Sequence, residues 1–215
     1  MNELARRSIV GVLLIALALM AAVLGKYYFA TLVALLACVV FYEWRRIIHG
    51  WGFGWQVAGF AYALVPALAL LWIRERFFLD GKEMGLELLL WVFITTWSVD
   101  IGAYFAGRGI GGPRLAPAIS PNKTWAGLIG GMLAAALFGG LWAYLVHLPQ
   151  VLILFAAPFA AAAQGGDLFE SWLKRRAGVK DSGDFLPGHG GALDRLDGLV
   201  VVATLTAAAM IMGLL

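Results

Sequence analysis

Seven long runs of apolar residues alternate with short polar connections along this chain. They cover about positions 8–24, 27–42, 55–73, 88–106, 124–148, 150–166 and 198–215, each near the roughly 17–25 residues needed to cross a bilayer as a helix. None shows the period-two alternation of a membrane barrel strand. A backbone in lipid must also satisfy its own hydrogen bonds, so the pattern predicts α-helices. Pro66 and Pro158 fall inside the third and sixth runs, where neighbouring helices accommodate a kink. The expected fold is an all-α integral membrane protein, a polytopic bundle of about seven transmembrane helices forming one membrane domain over residues 1–215. The first run follows Arg6 and Arg7 as in a secretory leader. The next apolar run begins almost at once, so it is read as a retained span.

Composition supports this. The chain is 62% hydrophobic and 13% charged, with a mean hydropathy of +0.85, against about 25% charged residues in soluble domains. The net charge of +3 is scattered, which bears on orientation in a membrane and gives no case for nucleic acid. Cys38 is the single cysteine, which excludes an intrachain disulfide and a cysteine metal site. Arg6 and Arg7, Arg45 and Arg46, then Arg108, Arg114 and Lys123, and finally Lys174, Arg175, Arg176 and Lys180 all fall on one side of a seven-span chain. The Lys/Arg bias makes that side cytoplasmic, the exception being "RERFFLDGKE", where Arg74, Arg76 and Lys82 are offset by Glu75, Asp80 and Glu83. Both large polar connections therefore share one face.

The first of these reads "WSVDIGAYFAGRGIGGPRLAPAISPNKTWAG". Asp100 stands within the fourth run, where an unpaired carboxylate is costly; a cation such as Arg108 is a candidate partner. Ser120, Asn122, Lys123 and Thr124 open the fifth helix and make a plausible phosphate seat. The glycines follow no strand and open no βαβ unit, so a dinucleotide-binding reading fails.

In the second, Asp167, Ser171 and Lys174 are spaced i, i+4, i+7 and share one face if the sixth helix continues. Such an array suits a divalent cation together with a phosphate, and Gly165 and Gly166 permit close backbone approach. Asp194 and Asp197 lie one helical turn apart at the start of the last run. Carboxylates with oxygen neighbours suit Mg²⁺, which commonly uses one or two of them with waters and substrate phosphates. The glycines around His189 bring backbone N–H groups within reach of an anion. Arg175, Arg176 and Asp184 read equally well as solvated juxtamembrane charges.

The segment "SWLKRRAGVKDSGDFLPGHGGALDRLD", from Ser171 to Asp197, resembles the signature of phosphatidate cytidylyltransferases, also called CDP-diacylglycerol synthases. Every fixed polar position is filled: Ser171, Lys174, Arg175, Lys180, Asp181, His189, Asp194, Arg195 and Asp197. "DIGAYFAGR" and "ISPNKTWAG" resemble further family motifs. Ala192 stands where a larger apolar residue is common, and Gly198 where the family often has Ser. The chain is also shorter than most bacterial members.

The resemblance implies conversion of CTP and phosphatidic acid to CDP-diacylglycerol and pyrophosphate by a multi-pass enzyme of a bacterial-type inner membrane. It implies Mg²⁺, with a second cation an option, held by Asp167, Asp194 and Asp197. Lys174 is the fourth expected catalytic residue. Substrate contacts are expected from Ser120, Asn122, Lys123, Ser171, Arg175, Lys180, His189 and Arg195. Two alternatives stay open: another lipid phosphate as acceptor, or a small ion-coupled transporter using Asp100 and Asp167. The small residues of "GGMLAAALFGG" suit helix packing within the chain or in a homodimer.

Overall fold

The computed structural model describes residues 3–75, 84–183 and 190–215, with side chains from residue 9 onward in the first helix. Seven helices form among these residues: α1 (Glu3–Leu24), α2 (Lys26–Ile47), α3 (Phe53–Arg74), α4 (Gly85–Gly109), α5 (Trp125–Leu145), α6 (Val151–Arg176) and α7 (Leu193–Ile211). Five of them, α2 to α6, are long and apolar enough to cross a membrane. Large apolar side chains such as Leu133, Leu137 and Leu154 lie on the outer surface, where only lipid makes them inexpensive. This is an all-α, multi-pass membrane protein. Pro66 and Pro158 both sit inside helices, α3 and α6.

Three boundaries differ from the apolar runs, each for a local reason. The sixth run ends at Gly166, but α6 continues to Arg176, because residues 167–176 are amphipathic and bury Glu170, Leu173 and Lys174. The last helix starts at Leu193, before its apolar run, so Asp194 and Asp197 occupy its first two turns. The largest difference lies between α4 and α5. There Ser120 to Lys123 do not open a helix but form a small hairpin, β1 (Arg114–Ala116) antiparallel to β2 (Ser120–Thr124). Gly111 and Gly112, at φ 68° and 91°, turn the chain out of α4 in a conformation that disfavours a side chain. Thr124 then caps α5, its hydroxyl accepting the Gly127 N–H at 3.0 Å.

The small residues of α5 are used within the chain. Gly127, Gly131, Ala135, Gly139 and Ala143 recur every fourth position and are buried. A Cβ on Gly131 would lie 2.9 Å from the Val99 carbonyl oxygen, and one on Gly139 would lie 2.7 Å from the Thr95 hydroxyl. Backbone-level packing of α5 on α4 follows from that stripe. One buried cluster runs through Leu88, Trp91, Leu152 and Val202. A second, with Trp44, Ile48, Leu173 and Leu193, joins α2, α6 and α7, beneath the polar residues described next.

Candidate active site

A polar cleft of about 340 Å³ opens where the hairpin meets α4 and α6; Asp100, Ser120, Asn122, Lys123, Gln164 and Asp167 are among its lining. Strand β2 brings Lys123 to Asp167, and the two form an ion pair. The predicted helical array on α6 is present, with the Ser171 hydroxyl donating to Asp167 Oδ1 at 3.3 Å. Gly166 lets α7 approach: a Cβ there would stand 3.0 Å from the Asp197 carbonyl oxygen, whereas one on Gly165 would meet nothing within 4 Å. The Asp197 carboxylate accepts the Gly198 N–H at 2.8 Å and lies within electrostatic reach of Asp167 and Asp100.

One helical turn further along α6, Lys174 is held between carboxylates. Its ammonium is 2.5 Å from Asp194 Oδ1 and 3.2 Å from Glu170 Oε1. Asp194 Oδ2 accepts the Ser182 and Gly191 N–H groups at 3.0 and 2.9 Å. Asp194 precedes the apolar part of α7. Burial would raise its pKa, but the hydrogen bonds around it, Lys174 and these two amides among them, hold it at about 2. Beneath this group lies Glu43 of α2, 1% exposed. It accepts the Ser182 hydroxyl at 2.9 Å and the Ala192 and Leu193 N–H groups at 3.0 and 2.8 Å.

The structure thus divides the expected site residues. Ser120, Asn122, Lys123 and Asp167 share the cleft. Lys174 and Asp194 form the adjoining cluster, with Ser171 on the α6 face between. Arg175 donates to the Val179 carbonyl at 3.1 Å. Lys180 and Arg195 are exposed at the margin, and Arg195 acts electrostatically on Asp100. Arg108 donates instead to the Tyr104 hydroxyl at 2.7 Å. His189 and Asp184 lie outside the described residues. No three His, Cys, Asp or Glu side chains are arranged to hold a metal among the described residues. Of the three expected ligands, Asp167 and Asp197 act on each other, while both oxygens of Asp194 accept protein donors.

Sequence reasoning missed Glu43, Glu170, Gln164 and Ser182. Glu170 had a usable signal, since Glu at i and Lys at i+4 is a helical pair. Glu43 stood at the end of an apolar run, beside Arg45 and Arg46, where it reads as one more boundary charge. Its partners are about 140 to 150 positions away in sequence.

The sequence model described as the cytidylyltransferase family matches residues 51–212. The chain is 46% identical over 176 residues to the phosphatidate cytidylyltransferase of Brucella suis biovar 1 (strain 1330), covering 81% of this chain and 62% of that protein. It is 41% identical over 144 residues to the Haemophilus influenzae protein of the same name, 63% of this chain and 50% of that one. With the Rickettsia bellii protein of that name it shares 34% identity over 211 residues, 94% of this chain and 88% of the relative. The chain therefore spans less than two thirds of the length of the Brucella relative.

Proposed function

The chain belongs to the cytidylyltransferase family, and we propose that it transfers the cytidylyl group of CTP to phosphatidic acid, giving CDP-diacylglycerol and pyrophosphate. The observation that carries this reading is the cleft in which Lys123, Asp167, Ser120 and Asn122 meet, set at the ends of apolar helices. A diacyl lipid keeps its chains beside such helices while its phosphate reaches the polar ends, and CTP enters from water. The names of the relatives give the substrate class its second support.

The chemistry asks little of a general base. A phosphate monoester has a second pKa of about 6, so phosphatidate is largely dianionic at neutral pH. One of its oxygens attacks the α-phosphorus of CTP, a new P–O bond forms, and the bond from that phosphorus to the β-phosphate bridge oxygen breaks with pyrophosphate leaving. The protein's task is to gather two polyanions and balance the charge on the leaving group. In this reading Lys123 and Lys174 neutralise phosphate oxygens, and Ser120, Asn122 and Ser171 hydrogen-bond them. Arg175, Lys180, His189 and Arg195 guide nucleotide or headgroup at the margin.

The donor set suits Mg²⁺, which takes one or two carboxylates and completes its shell with water and substrate phosphates. Asp167 and Asp197 are the ligands we assign first, with Asp194 beside them. Bound there, the ion supplies charge neutralisation at the pyrophosphate. The Lys/Arg distribution supports a cytoplasmic placement of the site.

Purified in detergent, the protein is expected to release pyrophosphate from CTP only when phosphatidate is supplied, with CDP-diacylglycerol as the lipid product. Chelation should stop the reaction and Mg²⁺ restore it, and Asp167→Asn should lower turnover roughly 100-fold. CTP turnover indifferent to phosphatidate would overturn the assignment.

A further inference from the structure

Helix α7 carries Asp194 and Asp197, yet its own N-cap residue, Ala192, offers no side-chain acceptor to the first turn. Helix N-termini leave amide N–H groups unsatisfied and favour a negative charge. Here the acceptor comes from another helix. Glu43 of α2 takes the Ala192 N–H on Oε1 and the Leu193 N–H on Oε2, while Oε2 also accepts the Ser182 hydroxyl. All three bonds are donated to the carboxylate, as an acceptor-only group requires.

The surrounding glycines add an independent observation. A Cβ on Gly183 would come within 2.7 Å of Glu43 Oε1, and one on Gly191 within 2.5 Å of Oε2, besides colliding with the Ser182 hydroxyl. Neither glycine has a positive φ. Their need for hydrogen in place of a side chain is steric: at Gly183 the obstacle is Glu43 alone, and at Gly191 it is the Ser182 hydroxyl first, with Glu43 behind it. One buried carboxylate therefore fastens the chain at 182–183 and again at 191–193. Asp194 then takes the Ser182 and Gly191 amides onto Oδ2 and presents Oδ1 to Lys174.

We infer that Glu43 is a positioning residue for the reaction: from α2 it caps α7 and sets the Asp194–Lys174 pair and Asp197 in register with Asp167. It touches no substrate. The inference rests on the reading of this junction as the site of cytidylyl transfer.

Glu43→Gln keeps the size but turns one acceptor into an NH₂ group facing a donor. In the purified full chain, kcat should fall roughly 10- to 100-fold, as for a misplacement of about 1 Å. KM for CTP should change less than about threefold, because binding groups at the cleft are retained. Gly183→Ala, whose Cβ would meet only Glu43, should give the same split. Ser182→Ala removes one donor and leaves both helix amides capped, so its kcat should fall only about threefold. In hydrogen exchange, the Ala192 and Leu193 amides should exchange faster in Glu43→Gln than in the parent.

Parental kcat in folded Glu43→Gln overturns the inference, as does a lower thermal midpoint accompanied by parental kcat. If Glu43→Gln does not fold, parental kcat in Gly183→Ala overturns it equally. An unaltered protein that makes no CDP-lipid would defeat the functional reading instead. The exchange comparison would still decide whether Glu43 holds residues 192–193, and unchanged exchange would overturn that.

Discussion

At the scale of single residues, charge here is arranged as linked pairs. Lys123 faces Asp167 from the hairpin, and Lys174 spans Glu170 and Asp194. Lys174 is only 9% exposed, so removing its charge would leave two carboxylates without their cation. Breaking a buried pair from one side costs about 3 kcal/mol or more, since the remaining charge stays desolvated. Lys174→Met should therefore lower the thermal midpoint in detergent as well as turnover, and Lys174→Arg should recover more of the first than of the second. Parental turnover in folded Lys174→Met would return this lysine to a purely structural role. The array Asp167–Ser171–Lys174 was legible in the sequence because helical spacing alone brings those residues to one face. Glu43 was not, because its role exists only once α2, α6 and α7 have packed.

At the scale of elements, glycine placement decides which helices come close enough to build the site. Gly165 and Gly166 are neighbours that look interchangeable in sequence, yet the structure separates them. Gly166 is buried against the Asp197 carbonyl and Val201, while Gly165 is exposed with open space at its Cβ position. Gly165→Ala should be harmless or should stabilise α6 by about 0.5–1 kcal/mol, the ordinary gain in a helix interior. Gly166→Ala should force α6 and α7 apart, costing about 1–3 kcal/mol as overpacking does. Its turnover should fall well beyond what the lost folded fraction explains, because Asp167 and Asp197 move with the two backbones. Thermal midpoints and kcat measured on the pair check this; equal effects at 165 and 166 would contradict it. The hairpin at 114–124 escaped the sequence reading for a related reason. Its strands have only three and five residues, with Pro117 directly after the first and Pro121 inside the second, and so lack the alternating pattern that marks a strand.

At the scale of the whole molecule, the helices were legible because lipid imposes length and apolarity on each one separately, whereas the cleft depends on contacts among β2, α4 and α6 that no single run encodes. Orientation rests on a sum over loops. The α2–α3 connection follows Arg45 and Arg46, the α4–α5 connection holds Arg114 and Lys123 after Arg108, and the α6–α7 connection follows Lys174, Arg175 and Arg176 and contains Lys180. Each helix crossing reverses the side, so these three connections share one face, and the α5–α6 connection at residues 146–150 lies on the other with no Lys or Arg. Retention of basic loops on the cytoplasmic side then predicts the outcome of reporter insertion. A reporter inserted after Gly50, Gly112 or Gly178 should report the cytoplasm, and one inserted after His147 the opposite compartment. The last insertion discriminates most sharply, because it tests the crossing between α5 and α6 that brings Lys123 and Asp167 to the same end of the bundle. A reporter after His147 found on the same side as one after Gly112 would mean that α5 does not cross, and the shared cleft of hairpin and α6 could not form in the membrane.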